Sequence, residues 1–313
     1  MIETVRGPVE PSALGRTLAH EHVFVLSPDS QANWSDEWEE EQRVAAAVAQ
    51  LREVVVAGYG TFVDPTVDGL GRDVRRVMRL NAEVPDLSIV VATGLYTYSE
   101  VPHFFAFRPD SAMVDAFVRD LTEGIKGTGG VKAGFIKCAV DAQGLQPGVE
   151  RVLRNVCAAH RATGAPLMVH THPGSRNALD VRRVLEAEAV PPRSVVFAHS
   201  GDSTDVEYLT ELASAGYFLG MDRFGLPGAA DTASRVATVA EMSRRGFAAS
   251  LMLSHDAACY IDWMEPGVRF PDWHFLHIGT IVLPLLREAG VSADDIEKME
   301  VYAPRNWLAS RDV

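Results

Sequence analysis

Cysteine is scarce in this sequence, with three residues among 313 (Cys138, Cys157 and Cys259). Three cysteines are too few for a disulfide framework, and their spacing matches no zinc-finger pattern. A small fold held together by disulfides is therefore excluded. We therefore expect the protein to lie in a reducing cytoplasm.

Long apolar runs and positive charge are also in short supply. No run reaches the roughly 18 residues that a membrane-spanning helix needs, and the N-terminus, MIETVRGPVE, has no apolar signal-peptide core. Lys and Arg number 29 against 42 Asp and Glu, which gives a formal charge of −13. This balance argues against nucleic-acid and anionic-membrane partners, because both bind clustered Lys and Arg.

The composition supports a well-filled core, since 47% of the residues are hydrophobic and 23% are charged. Eight short runs rich in Val, Ile and Leu predict strands buried on both faces. They are residues 18–25, 61–66, 88–94, 133–140, 166–172, 194–200, 217–222 and 251–256. Segments of helical periodicity lie between them, at residues 40–57, 71–81, 113–125, 147–163, 178–188, 206–215 and 232–245.

This repeated alternation of strand and helix predicts an α/β fold, a (β/α)8 TIM barrel. The first ~17 residues precede strand one and are expected to form a short strap across the barrel bottom. We find no domain boundary and expect one domain over residues 1–313. An open doubly wound sheet is disfavoured, because no Gly-x-Gly-x-x-Gly turn follows the first strand.

Four histidines occupy the strand ends where barrel active sites lie. His20 and His22 share one face of strand one, while His170 and His199 end strands five and six. The pair on strand one would also fit two hydrogen-bonded core histidines. Four together favour a metal-dependent hydrolase. His172 and His255 are predicted to be supporting or structural residues rather than ligands, because one lies beyond its strand and the other faces away.

Asp256 and Lys137 complete this set of polar side chains. Asp256 ends strand eight, where a buried carboxylate needs a metal, hydrogen bonds or a salt bridge to a loop arginine. Lys137 lies within the apolar strand Gly134-Phe135-Ile136-Lys137. A buried lysine fits an ion pair, a Schiff base, or a carboxylated lysine that bridges two metals. The histidines and Asp256 favour the bridging role.

Several segments resemble the phosphotriesterase-like lactonases of the amidohydrolase superfamily. They are GRTLAHEH at 15–22, VDPT at 63–66, ATGLY at 92–96, GFIK at 134–137, GDS at 201–203, MDRFG at 221–225 and SHD at 254–256. The resemblance runs in order from about residue 5 to the C-terminus.

This resemblance implies a centre of two divalent metals, zinc or else cobalt, iron or manganese. His20, His22 and Asp256 would hold the more buried metal, and His170 and His199 the more exposed one. Lys137, as N6-carboxylysine, would bridge them together with a hydroxide. That hydroxide would attack a lactone carbonyl while Asp256 accepts its proton. A homodimer is also implied.

The resemblance also implies a substrate pocket. Tyr96 would lie against the metals and the lactone, and Arg223 would shape the pocket; the alternatives are a rim aromatic and a salt bridge to an acidic residue. Trp263 would wall an acyl channel, or be an ordinary core tryptophan. Ala257 and Ala258 stand where the family usually has larger residues, which we expect to widen the pocket.

The function predicted from these observations is a binuclear metal-dependent lactonase with weak organophosphate triesterase activity. A dedicated phosphotriesterase is the first alternative, because the same centre attacks carbonyl and phosphoryl groups. A Schiff-base lyase using Lys137 and a non-catalytic binding barrel are the others.

Overall fold

The computed structural model describes residues 1–34, 36–264 and 270–312. Its strands are β1 (Ile2–Thr4), β2 (Gly7–Val9), β3 (Thr17–Leu18), β4 (His22–Val25), β5 (Thr61–Asp64), β6 (Ser88–Leu95), β7 (Phe135–Ala139), β8 (Leu167–His170), β9 (Val195–Ala198), β10 (Phe218–Met221), β11 (Leu251–Leu253) and β12 (Ala258–Ile261). The main sheet is parallel throughout and runs in the order β11-β10-β9-β8-β7-β6-β5-β3.

The sheet closes through a divided first strand. β3 pairs with β5, whereas β4 pairs in parallel with β12, beyond the end of strand eight. Two backbone bonds close the gap between them: Asp256 N–H donates to His20 O at 3.0 Å, and His22 N–H donates to Ala257 O at 2.7 Å. The predicted (β/α)8 barrel is confirmed, but strand one is two short strands where the sequence predicts one.

The helices are α1 (Pro28–Trp34), α2 (Glu40–Val56), α3 (Val74–Glu83), α4 (His103–Ala106), α5 (Asp110–Thr122), α6 (Pro147–Thr163), α7 (Ala178–Ala187), α8 (Val206–Ser214), α9 (Thr232–Arg244), α10 (Leu283–Glu288), α11 (Ala293–Glu297) and α12 (Ala303–Leu308). π-helical segments, Ile278–Val282 and Lys298–Tyr302, precede α10 and α12. No described helix is both long and apolar enough to cross a bilayer.

The predicted helices agree with the structure within a few residues at their ends. α6 has the predicted bounds and ends at Gly164, whose φ of 69° is the left-handed helix terminus that glycine favours. α3 begins three residues later than predicted, because the Asp73 side chain caps it by accepting from Arg76 N–H. The sequence did not predict α1, α4 or the C-terminal helices α10 to α12.

Two apolar layers position the site. The outer layer fills the space between strands and helices, and the inner layer fills the barrel below the site. Trp307 closes the inner layer at the bottom, where its indole N–H donates to Leu167 O at 3.1 Å. The hairpin of β1 and β2 adds Ile2 to this layer, and Val5 N–H donates to Ile89 O near the start of β6. The strap is therefore found at the bottom, as predicted, and the polar residues lie at the opposite end.

Candidate active site

The carboxyl ends of the strands bring four imidazoles and one carboxylate together. Nε2 of His20 and Nε2 of His22 lie 3.1 and 3.3 Å from the same oxygen, Oδ1 of Asp256. His199 Nε2 lies 2.8 Å from His170 Nδ1. All four histidines are buried. The structure thus gathers all four predicted histidines with Asp256 into one centre.

Asp222 fixes the orientation of two of these imidazoles. It follows β10, is fully buried, and accepts from Nδ1–H of His20 at 2.9 Å and Nδ1–H of His199 at 3.0 Å. The His199 backbone N–H also donates to it at 3.0 Å. Because Nδ1 carries the proton in both rings, Nε2 presents a lone pair toward the centre.

Separate acceptors orient the other two imidazoles. Thr66 Oγ1 lies 2.7 Å from His22 Nδ1 and itself donates to Asp64 Oδ1 at 2.5 Å, so Thr66 accepts from His22. Asp141 Oδ2 lies 3.3 Å from His170 Nε2, which leaves His170 Nδ1 facing His199. Each histidine therefore has one nitrogen held from outside and the other turned inward, the arrangement typical of metal-bound histidines.

None of these supporting residues has a role predicted from the sequence. Asp64, Thr66 and Asp222 lie within the VDPT and MDRFG segments that carry the family resemblance, and Asp141 follows the strand of Lys137. Their positions at strand ends were a usable signal. Nothing in the local sequence, however, says which histidine each one supports.

The donor set fits a divalent cation. Ligand atoms of His20, His199 and Asp256 all lie within 4.8 Å of one another. With Nδ1 protonated, His20 Nε2 and Asp256 Oδ1 are two acceptors facing each other, which is unfavourable unless a proton or a cation lies between them. Burial and the Lys137 charge lower the pKa of His20, but Asp256 and Asp222 outweigh them and raise it. The centre therefore requires positive charge.

The imidazoles of the second pair are held neutral. Burial lowers the pKa of His170 to about 4, and burial with the Arg223 charge lowers that of His199 well below its usual value. Neutral imidazole is the form that binds zinc and related metals.

Lys137 lies on β7, 1% exposed, and burial lowers its pKa to about 8. The Asp256 and Asp222 charges partly offset that burial, but no described residue forms a direct ion pair with the ammonium group. The simple ion-pair interpretation therefore has no support among the described residues. On the neighbouring strand, Gly94 pairs with Lys137, and a Cβ at Gly94 would collide with the Lys137 carbonyl oxygen.

Three site residues have left-handed backbone conformations. φ is 68° at His199, 65° at Arg223 and 53° at Asp256, each just past the end of a strand. Such conformations are uncommon outside glycine and cost about 1–3 kcal/mol, so they persist only where neighbouring contacts impose them. Local strain of this kind is frequent at functional sites.

Asp256 and Arg223 also form the salt bridges that the sequence left open as alternatives. Arg223 Nε donates to Asp256 Oδ2 at 3.0 Å, and its Nη1 donates to Asp202 Oδ2 at 2.9 Å. The bond from Arg223 uses Asp256 Oδ2, whereas Nε2 of His20 and of His22 face Oδ1. His199 Nδ1 also lies 3.7 Å from Oδ2, so this oxygen faces both a guanidinium and an imidazole.

Tyr96 directly follows β6, and its ring packs edge-on against His170. Its hydroxyl donates to His170 Nδ1 at 3.3 Å. Burial raises the pKa of the phenol above its usual value, so the group remains a hydrogen-bond donor. The structure therefore places Tyr96 at the centre, as expected.

The predicted pocket residues differ in accessibility. Ala258 is half-buried against the inner layer, whereas Ala257 is 2% exposed and packs in the outer layer, so only Ala258 is accessible enough to line a pocket. Trp263 is 56% exposed, which makes the core-tryptophan alternative wrong.

His172 and His255 both lie apart from the centre. His172 packs on its own turn, where Ser175 N–H donates to its Nδ1 at 3.2 Å. His255 Nδ1–H donates to Glu21 Oε1 at 2.6 Å, behind the barrel wall. In the described part of the chain neither ring contacts the four converging histidines or Asp256, which agrees with the prediction that both are supporting or structural residues rather than ligands.

Comparison with known proteins shows the family to which the chain belongs. The profile described as the phosphotriesterase family matches residues 1–308. A phosphotriesterase homology protein of Mycobacterium tuberculosis is 47% identical over 97% of this chain and 96% of its own length. An aryldialkylphosphatase of Saccharolobus solfataricus is 31% identical, over 96% of this chain and 97% of its own.

A solved structure agrees as well. The structure of the phosphotriesterase from Mycobacterium tuberculosis has a TM-score of 0.96 and 46% identity, over 99% of this chain and 98% of that one. Sequence and fold thus match over nearly the whole length. The chain is a hydrolase and belongs to the phosphotriesterase family.

Proposed function

We propose that this protein is a binuclear metal-dependent lactonase that opens acyl-homoserine or other γ- and δ-lactones, with a weaker phosphotriesterase activity. The observation that carries the proposal is the inward convergence of one nitrogen from each of four histidines, each held from outside by a carboxylate or hydroxyl acceptor. Such support fixes metal ligands in orientation.

Six residues would hold the metals. His20, His22 and Asp256 would bind the more buried ion, His170 and His199 the more exposed one, and Lys137 would bridge the two. Zinc suits this donor set, and cobalt, iron or manganese are compatible with it. When bound, the two ions would activate a water molecule and polarise the substrate carbonyl.

The protein side chains would move the proton and orient the substrate. Asp256 accepts the proton of the attacking water and returns it to the alkoxide that leaves when the lactone C–O bond breaks. Arg223, bonded to Asp256 Oδ2 at 3.0 Å, keeps that carboxylate ionised before it accepts the proton and holds its orientation for both transfers. Tyr96 donates its hydroxyl hydrogen toward the substrate oxygen, and Ala258 and Trp263 border the acyl side.

Lys137 would act as a carbamate. Its neutral amine attacks carbon dioxide, forms an N–C bond and releases one proton, which gives an anionic bridging group. The lowering of its pKa to about 8 by burial increases the fraction of neutral amine available for this reaction. Metal reconstitution should therefore proceed faster and further with bicarbonate than in carbon-dioxide-free buffer; equal metal uptake in both would contradict carboxylation.

A dedicated phosphotriesterase is the second candidate, favoured by the relative at 31% identity that is named an aryldialkylphosphatase. The deciding experiment compares kcat/KM of the metal-loaded enzyme for an N-acyl-homoserine lactone and an aryl dialkyl phosphate. A hundredfold preference for the lactone corresponds to roughly 2.7 kcal/mol of additional transition-state stabilisation and would support the lactonase. The reverse preference would support the phosphotriesterase.

The Schiff-base lyase is tested with the same preparation. It requires covalent trapping of Lys137 by borohydride in the presence of a carbonyl substrate, with no dependence on metal. Loss of activity on chelation, without such trapping, would exclude it.

A further inference from the structure

A buried arginine lies outside the proposed ligand and substrate residues. Arg235 is on α9 and is 1% exposed, which is rare for an arginine. A buried guanidinium is tolerated only where a counter-charge and hydrogen-bond acceptors surround it. The partners of Arg235 therefore indicate what it holds in place.

Two of these partners are backbone carbonyls of a single loop. Loop 7 is defined here as residues 222–231, between β10 and α9. Arg235 Nη1 donates to Leu226 O at 3.2 Å and also to Ala230 O. Both carbonyls belong to loop 7, so the arginine ties the loop to the helix that follows it.

The third partner connects Arg235 to the candidate active site. Arg235 Nη2 donates to Asp202 Oδ1 at 2.5 Å, and the other Asp202 oxygen accepts from Arg223 Nη1 at 2.9 Å. Arg223 in turn donates to Asp256 at 3.0 Å. Charges of alternating sign thus run from Asp256 through Arg223 and Asp202 to Arg235.

Loop 7 has little freedom to settle elsewhere. Arg223, inside the loop, has a φ of 65°, a conformation that must be imposed by its contacts. Gly225 has a φ of 86° and lies so close to the Asp272 carbonyl oxygen that a Cβ would collide with it. A displacement of the loop would therefore disturb both the Arg223 guanidinium and its packing on the segment around Asp272.

We propose that Arg235 is a positioning residue, which fixes loop 7 over the site and, through Asp202, holds the Arg223 guanidinium against Asp256. Its effect on turnover rests on the proposed function, whereas the anchoring of the loop does not.

The test compares Arg235→Met with Arg244→Met. Arg244 lies on the same helix with its side chain 73% exposed and pairs with Glu241, so it controls for loss of an arginine and an ion pair. Hydrogen exchange of loop 7 amides and metal content are measured on the metal-loaded protein. The values of kcat and KM are then measured for the N-acyl-homoserine lactone and for the aryl dialkyl phosphate.

We expect Arg235→Met to speed exchange of the loop 7 amides about tenfold and to lower kcat about tenfold or more. Metal content should stay at the wild-type level, because Arg235 contacts no proposed ligand directly. Arg244→Met should leave all of these quantities unchanged.

Two outcomes would overturn the proposal. In the first, Arg235→Met melts at a lower temperature but keeps wild-type loop exchange, kcat and KM. This result would mean that the role of Arg235 is purely structural. The second outcome concerns Arg235→Lys, which is measured if Arg235→Met fails to fold. Arg235→Lys keeps a positive charge but not the fork that reaches Asp202 with one nitrogen and both carbonyls with the other. Wild-type exchange and kcat in this protein would contradict the anchor.

The measurements separate this inference from the proposed function. Loop exchange needs no substrate, so it decides the role of Arg235 whatever ester is hydrolysed. A wild-type protein that turns over neither ester would refute the proposed function and leave the exchange result standing.

Discussion

Single residues outside the ligand set determine which nitrogen each histidine presents to the centre. Asp222 serves two rings at once, whereas Asp141 and Thr66 serve one each. Residue types and strand ends were enough to predict that the four histidines and Asp256 meet at one end of the barrel. Which histidine each supporting residue holds was not predictable, because the partners come from strands distant in sequence.

Replacement of Asp222 tests this dependence. Asp222→Asn removes the charge that accepts two Nδ1–H groups and can leave an amide hydrogen facing one of them. We expect metal affinity to fall about 10- to 100-fold. Asp141→Asn is the matched comparison and should lower metal affinity less, since Asp141 orients only His170. Metal titration of both proteins measures the difference, and full affinity in Asp222→Asn would refute the orienting role.

Lys137 is tested by removal of its side chain. Lys137→Ala deletes the proposed bridge, and we expect most of the bound metal to be lost and activity to fall with it. Lys132→Ala, five residues earlier and only half-buried, is the control and should behave as wild type. Metal analysis and turnover provide the readouts. Two metals per chain with full activity in Lys137→Ala would show that the bridging role is wrong.

Single elements differ in how well the sequence predicts them. α6 was predicted with its bounds because its periodicity is uninterrupted and Gly164 ends it. The division of strand one was not predicted. It arises because Asp256 and Ala257, near the other end of the chain, form backbone hydrogen bonds with His20 and His22. α10 to α12 were missed because they are short and joined to π-helical segments.

The pairing of β6 with β7 depends on a glycine that lies opposite Lys137. Gly94 has a φ of 135°, and a Cβ would meet the Lys137 carbonyl. Gly94→Ala should therefore destabilise the fold by more than the ~1 kcal/mol expected for a left-handed glycine in open space. Gly129→Ala is such a control, with a φ of 72° and no atom within 4 Å of the added Cβ.

Denaturant unfolding of these two glycine variants gives the comparison. Gly94→Ala should also bind less metal, because the strand that carries Lys137 must shift. Equal free energies of unfolding for the two variants would contradict the close-approach argument.

At the scale of the whole molecule, the two apolar layers close the lower barrel and leave the polar residues at the upper end. An open groove of about 530 Å³ is lined by residues such as Arg16, Leu283 and Glu300, none of them a site residue. This groove therefore does not mark the site, which is located by the convergence of side chains.

The state of assembly is a prediction from the family resemblance alone. A homodimer of this chain has twice its mass of 34.1 kDa. Sedimentation equilibrium at several concentrations measures that mass directly. A single species at the mass of one chain across the whole range would refute the dimer.

Metal removal couples the site to the stability of the whole fold. A ligand that binds only the folded state raises its stability by about 2.7 kcal/mol at a hundredfold excess over Kd. Chelation should therefore lower the melting temperature by roughly 5 °C in a chain of this size, and zinc should restore both melting temperature and activity. The physical reason is that His20 Nε2 and Asp256 Oδ1, 3.1 Å apart, face each other without a metal between them once it is removed. Lys137→Ala, which we expect to hold little metal, should show a much smaller shift on chelation. An equal shift in both proteins would mean that the chelator acts elsewhere on the fold.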